Sequence, residues 1–330
     1  MTAVEHDDAQ QRSDSTAGAD TLEVRVVRRE LVADDVVGLT LSAGGAWLPE
    51  WEPGAHIDVV VADGTTRQFS LCSDPARRDV YEIAVLRDPN GRGGSRYLHE
   101  AVLTGSAVQI KKPRNHFRFD EAGRYLFVAG GIGITPMLPM IAAAQRRGVP
   151  WRLVYLGRSR STMAFADRLA DLGDAVTLWP KDDLGTASIQ ELLGVPGPDT
   201  LVYACGPQRL LAALESAAAQ WDGAGLRLER FEAGELTAPV RADDFEVYLS
   251  ASDMTVTVGP ETSILQALAE HGVDVDSSCG DGTCGTCEVS VLDGEPDHRD
   301  VVLTDEERAC NDCMMVCVSR AASARLVLDL

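Results

Sequence analysis

The stretch that most constrains this chain is Cys279-Gly280-Asp281-Gly282-Thr283-Cys284-Gly285-Thr286-Cys287, with a further cysteine, Cys317, thirty residues beyond it. A C-x4-C-x2-C loop joined by one distant cysteine has the spacing of a known 2Fe–2S signature. Such a cluster needs four thiolates, two on each iron, and a tight loop plus one remote residue can enclose it. The loop must close around inorganic sulfide and turn backbone N–H groups toward it. Gly280, Gly282 and Gly285 allow this, because glycine reaches positive φ without a Cβ clash. The competing reading is structural zinc, but zinc usually pairs two short C-x2-C knuckles and the first gap here is four residues. Cys313 is the rival for fourth ligand. Cys317 is preferred because it falls in the apolar, strand-like run Met314-Met315-Val316-Cys317-Val318, and Cys310 and Cys313 then default to loop thiols. A lone cluster carries one electron and does no chemistry alone, so the remaining residues must fill and empty it.

The chain has 330 residues, 45% hydrophobic and 25% charged, which is room for two or three soluble domains. No apolar run approaches the 18 residues of a membrane span. Residues 1–20 lack the basic start and apolar core of a signal peptide and read as a disordered tail. The expectation is a cytoplasmic monomer whose cysteines are reduced thiols or ligands rather than disulfides. A formal net charge of −21 argues against nucleic acid or an anionic membrane as partner. From Asp244 onward there are 18 acidic residues against 4 arginines, a net of −14, so the iron–sulfur part is the acidic part. A solvated surface explains this blandly. The sharper reading is a docking face for a basic redox partner, with Asp274, Asp276 and Asp281 as candidates beside the cluster loop.

Residues 21–123 read as a small antiparallel barrel, with short strands at 22–31, 36–41, 56–61, 67–71, 80–86 and 107–111 between Gly, Pro, Asp and Asn turns. Two stretches there suit a phosphorylated ring cofactor. Arg67-Gln68-Phe69-Ser70 offers a guanidinium for phosphate and alternating side chains for a flat ring. Gly91-Arg92-Gly93-Gly94-Ser95 is a glycine turn opening a helix. Residues 124–234 alternate apolar runs with helical stretches, which predicts an α/β domain with a parallel sheet. Its first strand ends in Gly130-Gly131-Ile132-Gly133-Ile134-Thr135-Pro136 and a later one in Cys205-Gly206-Pro207, both at strand carboxyl ends where such sheets bind ligands. Neither is the G-x-G-x-x-G fingerprint. Residues 235–243 read as a linker. Residues 244–330 predict a compact α+β module wrapped around the cluster.

Flavin barrel, nicotinamide domain and plant-type ferredoxin, in that order, resemble the phthalate dioxygenase reductase family. The likeness spans nearly the whole chain after the tail. It rests on Arg67-Gln68-Phe69-Ser70, Pro113-Arg114-Asn115-His116-Phe117, the 130–136 turn, Cys205-Gly206-Pro207 and the cluster cysteines. Related oxygenase reductases carry the ferredoxin first, so the order selects the subfamily. The resemblance implies FMN in preference to FAD, with Arg67, Gly93, Gly94 and Ser95 at its phosphate and Phe69, Ser70, Ala84, Val85 and Leu86 around its ring. It implies NADH as donor, held by Gly131, Gly133, Thr135, Arg158, Ser159, Cys205, Gly206 and Pro207. Thr135 would touch both flavin and nicotinamide. Phe231 and Glu232 would flank the flavin, and Ser70, Cys205 and Glu232 would be the catalytic side chains. The metal ligands would be Cys279, Cys284, Cys287 and Cys317. The implied activity is electron transfer from NADH through FMN and 2Fe–2S to a terminal Rieske-type oxygenase, a dioxygenase or O-demethylase. The alternatives are a haem-thiolate monooxygenase as partner, or a binding or sensing protein that keeps the cluster without flavin turnover.

Overall fold

The computed structural model describes residues 21–62, 64–89, 91–233 and 238–330. The expected tail (1–20), the end of the nicotinamide stretch (Gly234) and the start of the expected linker (235–237) lie outside the described residues.

The first sheet holds β1 (Thr21–Ala33), β2 (Val36–Ser42), β3 (His56–Val60), β4 (Thr66–Ser70), β5 (Tyr81–Leu86) and β6 (Ala107–Lys111), all antiparallel. Their spatial order is β4-β3-β6-β1-β2-β5. Just past β4, Leu71 bridges Ile83 of β5, and the Cys72 N–H donates to the Glu82 carbonyl at 2.9 Å. That contact joins the two ends of the order and closes the sheet into a barrel. Alternation drives it: Val24 and Val26 point inward from β1 while Arg25 and Arg28 point out, and the interior fills with Ile57, Leu71, Ile83 and Ile110. The short helix α1 (Gly94–Glu100) buries Leu98 in the same core.

The second sheet is parallel, built from β7 (Arg124–Gly130), β8 (Trp151–Gly157), β9 (Val176–Pro180), β10 (Thr200–Cys205) and β11 (Gly225–Glu229) in the order β11-β10-β7-β8-β9. Tyr125, Phe127 and Ala129 of β7 enter one core while Leu126 and Val128 enter another. The strand is thus covered on both faces, as its unbroken apolar run predicts. The helices are α2 (Met137–Arg147), α3 (Ala166–Ala170), α4 (Lys181–Leu184), α5 (Ile189–Leu193) and α6 (Gln208–Ala218). The helix after β8 is confined to α3, because Phe165 takes φ 61° and interrupts the segment ahead of it. The chain runs outward through β8 and β9, then returns to place β10 on the other side of β7. The crevice between the carboxyl ends of β7 and β10 is therefore the topological switch point.

The third module has β12 (Phe245–Leu249), β13 (Met254–Val258), β14 (Glu288–Asp293), β15 (Pro296–Asp297), β16 (Cys313–Met315), β17 (Arg320–Ala321) and β18 (Arg325–Leu328), with α7 (Ile264–Glu270) and α8 (Asp305–Cys310). Its main sheet runs β13-β12-β18-β14-β16, with β12 and β18 parallel. Capping boxes start both helices, Ser263 with Gln266 and Thr304 with Glu307. One expectation is corrected: the strand near the last cysteines ends at Met315, and Cys317 sits in the turn that follows it. Among the described residues no helix is long and apolar enough to cross a membrane.

Candidate functional site

A cavity of about 350 Å³ opens where the three modules meet. The barrel contributes Arg67, Phe69 and Ser70, the parallel-sheet domain Thr135, Glu229, Phe231 and Glu232, and the cluster loop Cys279 and Asp281. On β5, Ala84 and Leu86 line it. Val85 does not: strand alternation turns its side chain into the barrel core, so it makes no side-chain contact with a ligand there. The Ser70 hydroxyl is buried without a hydrogen-bond partner, an unmet polar group beside the cavity. At the other end, a Cβ on Gly94 would come within 2.6 Å of Arg67 Cγ, so α1 can start beneath the Arg67 stem only with glycine there. Gly94 and Ser95 line the cavity, while Gly93, with φ 92°, supplies the turn ahead of them. The Arg67 guanidinium donates to the Thr66 carbonyl at 2.7 Å and the Thr65 hydroxyl at 3.2 Å. An apolar middle, one orphaned hydroxyl and a fixed cation at one end fit a flat ring bearing a phosphate tail.

At the sheet's switch point the glycines serve close backbone packing. A Cβ on Gly133 would collide with the Cys205 carbonyl, and one on Gly130 would come within 2.7 Å of Pro207 Cδ. Gly131 has open space beside it and takes φ 54°. Gly206 lies against the Gly130 backbone. Thr135 is buried and donates to the Ile132 carbonyl at 2.9 Å. Arg158 and Ser159 stand at the carboxyl end of β8, outside the cavity, where Ser159 caps a short turn.

Cys205 is fully buried and does not itself line the cavity; Glu229 stands there. The two are register partners across β10 and β11 and share a hydrogen bond. Burial pushes the Glu229 carboxyl up to about 8, against a smaller downward pull from the Cys205 hydrogen bond. Burial, then the Glu229 charge, push the Cys205 thiol well above its ordinary value. Glu229 Oε2 is shielded from solvent and unpartnered. The family resemblance points to Glu232, and the sequence leaves Glu229 unmarked because the short, half-buried β11 carries little strand signal. Pairing that strand with β10 would have set Glu229 opposite Cys205.

In the cluster loop the thiols of Cys279, Cys284, Cys287 and Cys317 converge. Cys279 interacts with Cys284 and Cys317, and Cys287 with Cys317. Hydrogen bonds among them pull Cys279 and Cys287 down and push Cys284 and Cys317 up, the behaviour of four thiols sharing protons in one small space. The Asp281 and Thr286 N–H groups each point at a cysteine sulfur, Cys279 and Cys284, at 3.4 Å. This donor set fits a cluster with thiolate ligands. Cys313 stands apart; burial, then Glu288 and Asp312, push its thiol up to about 12. Cys310 is exposed. The barrel holds this loop. Thr66 and Ser278 hydroxyls are 2.6 Å apart, and Arg92 Nη2 reaches both the Cys279 carbonyl and Asp281 Oδ2 at 3.2 Å. His116, stacked on His56, fills the space that a Cβ on Gly285 would need.

A family model described as the 2Fe-2S iron-sulfur cluster binding domain matches residues 247–322. Across nearly the full chain, the sequence is 38% identical to the phthalate dioxygenase reductase of Burkholderia cepacia, covering 94% of this chain and 97% of that one. The chain belongs to the phthalate dioxygenase reductase family. A solved structure of phthalate dioxygenase reductase superposes with a TM-score of 0.69 at 39% identity, covering 94% of this chain and 98% of that one. The phenoxybenzoate dioxygenase subunit beta of Ectopseudomonas oleovorans is 42% identical, over 90% of this chain and 94% of its own. An intact type IV self-sufficient cytochrome P450 monooxygenase superposes with a TM-score of 0.89 at 42% identity; it matches 97% of this chain, which spans 43% of that longer one. As a member of this family the chain is an oxidoreductase of the flavin and 2Fe–2S electron-transfer type.

Proposed function

We propose that the chain is the NADH-dependent reductase component of an oxygenase system, taking hydride onto FMN and passing electrons through 2Fe–2S to a terminal Rieske-type oxygenase. One observation carries the reading: a single cavity is lined by the barrel, by the end of the nicotinamide domain and by Cys279. NADH gives two electrons together, a cluster accepts one, and a flavin between them converts the one currency into the other. The reading divides the chain into 21–123 for FMN, 124–234 for NAD and 244–330 for the cluster. Arg67, with Gly94 and Ser95, would hold the phosphate, and the Ser70 hydroxyl would meet a polar edge of the ring. Phe231 and Glu232 would cover the ring until the nicotinamide enters past Thr135. Cys279, Cys284, Cys287 and Cys317 would hold the iron.

NADH is favoured over NADPH by the family resemblance; of the two cations after β8, Arg160 is paired with Asp167 at 2.8 Å, which leaves Arg158 as the one to meet a 2′-phosphate. A 2′-phosphate would need such a cation free. In anaerobic mixing, NADH is expected to bleach the flavin within seconds, with kcat/KM about tenfold or more above that for NADPH, a preference worth about 1.4 kcal/mol. A higher value for NADPH refutes the donor assignment, and an unbleached flavin refutes the reductase reading.

The net −14 of the cluster module supports it as the docking face. The structure narrows the candidates. Asp281 is taken by Arg92, and Asp276 shares a groove with Lys111, Lys112 and Arg114 of the barrel. Asp274 is exposed, as are Asp305, Glu306 and Glu307 of α8. Reduction of an oxygenase partner should fall several-fold as salt rises past the point where the Debye length is about 10 Å. Asp274→Asn with Glu306→Gln should lower the low-salt rate and leave NADH-driven flavin bleaching intact. A partner rate indifferent to salt and to both changes would reduce the acidity to solubility.

A further inference from the structure

We infer that Arg92 is a positioning residue: it clamps the cluster loop against the cavity and so governs how fast electrons cross from flavin to cluster. This rests on the electron-transfer reading above. Arg92 belongs to the glycine turn before α1 in the barrel, yet among the described residues the two hydrogen bonds its guanidinium donates go to the third module. One nitrogen, Nη2, donates to the Cys279 carbonyl and to Asp281 Oδ2, each at 3.2 Å. Thr66, also from the barrel, bonds Ser278 at 2.6 Å. The loop is therefore gripped on both sides of Cys279, the one cluster cysteine that lines the cavity.

The ion pair is half-exposed, with side-chain exposures of 62% for Arg92 and 38% for Asp281, so its stabilising energy alone is small. Its effect is geometric. Bonding a backbone carbonyl and the carboxylate two residues on fixes the path of the chain between them, including the direction of the Cys279 side chain. The two N–H groups of Nη2 point in fixed directions in the guanidinium plane and can hold both acceptors at once, whereas the N–H groups of a lysine ammonium turn freely at the end of a shorter, flexible stem. The third module is joined to the others by one covalent connection, so its seat over the cavity depends on contacts of this kind.

The test uses the flavin- and cluster-loaded protein with Arg92→Ala, Arg92→Lys, Asp281→Ala and the Arg92→Ala/Asp281→Ala double change. Amide hydrogen exchange over residues 276–282 needs no turnover. Stopped-flow mixing with NADH gives the ratio of cluster reduction rate to flavin reduction rate. Exchange is expected to rise about three- to tenfold in each single variant, and the ratio to fall by a similar factor. Arg92→Lys should not restore it. The double variant should be no worse than the worse single one, because both remove the same contact. Unchanged exchange in Arg92→Ala overturns the inference. So does a case where Arg92→Ala weakens flavin binding while Asp281→Ala is inert, since Arg92 would then serve the flavin alone. If Asp281→Ala fails to hold a cluster, Thr66→Val loosens the same loop from its other side and must raise exchange over 276–282. Failure of the electron-transfer reading itself looks different: the unaltered protein would not bleach with NADH.

Discussion

Serine at any one of Cys279, Cys284, Cys287 or Cys317 is expected to remove the 2Fe–2S absorbance and most of the bound iron, and to cut reduction of a protein acceptor by about a hundredfold or more. Flavin bleaching by NADH should survive, because hydride transfer lies before the cluster. The informative pair is Cys317 and Cys313. Cys317 reaches Cys279 and Cys287 from its turn, whereas Cys313 on β16 is surrounded by Glu288 and Asp312. Carboxylates oppose the thiolate that a metal ligand must become. Cys313→Ser and Cys310→Ser should therefore keep visible absorbance and iron content near those of the unaltered protein. Loss of the cluster in Cys313→Ser with retention in Cys317→Ser would reverse the fourth-ligand assignment.

That assignment also shows what the sequence could and could not reveal. The cysteine spacing is a local property, and Gly280, Gly282 and Gly285 take the positive φ that such a loop calls for. The preference for Cys317 rested on an apolar run read as a strand. The run is buried, but β16 ends at Met315 and the thiol is presented by a turn. Burial was legible there and conformation was not. The barrel was readable from alternation, yet alternation also undid one detail. Ala84, Val85 and Leu86 cannot all face the same side of a strand, and Val85 belongs to the core.

The larger omissions are non-local. β11 is five residues long, opens with glycine and is only half-buried, so it carries little strand signal. Without it, Glu229 reads as one acid among many near the end of the nicotinamide domain, and the family resemblance points to Glu232 instead. Arg92 and Asp281 are separated by 189 residues, and neither has a local pattern that calls for the other. Asp281 read as a free surface charge for that reason, and the fold has already committed it.

Glu229 gives the second large expected effect, on stability against pH. Its carboxyl is held at about 8 in the folded chain because burial penalises the charge. In an unfolded chain the same group titrates at about 4.3. Between those values the folded state holds one proton more than the unfolded state at this site. Stability must therefore fall as pH rises from about 4.5 to about 8, and the contribution levels off above that. Over the full window the loss is on the order of a few kcal/mol. Glu229→Gln keeps the shape, leaves a donor and acceptor for Cys205 and cannot ionise. Its stability should lack this downward limb, so that it matches the unaltered protein near pH 5 and exceeds it near pH 9. In a multidomain chain the quantity to follow is the transition of the parallel-sheet module, read from its tyrosine and tryptophan signals, because a single global midpoint is not well defined. For a unit of this size a few kcal/mol should move that transition by more than about ten degrees, at about 4–8 °C per kcal/mol for roughly 100 residues. Parallel pH profiles for Glu229→Gln and the unaltered protein would mean that Glu229 is ionised in the fold at neutral pH, and that Cys205 faces a charge instead of a neutral acid.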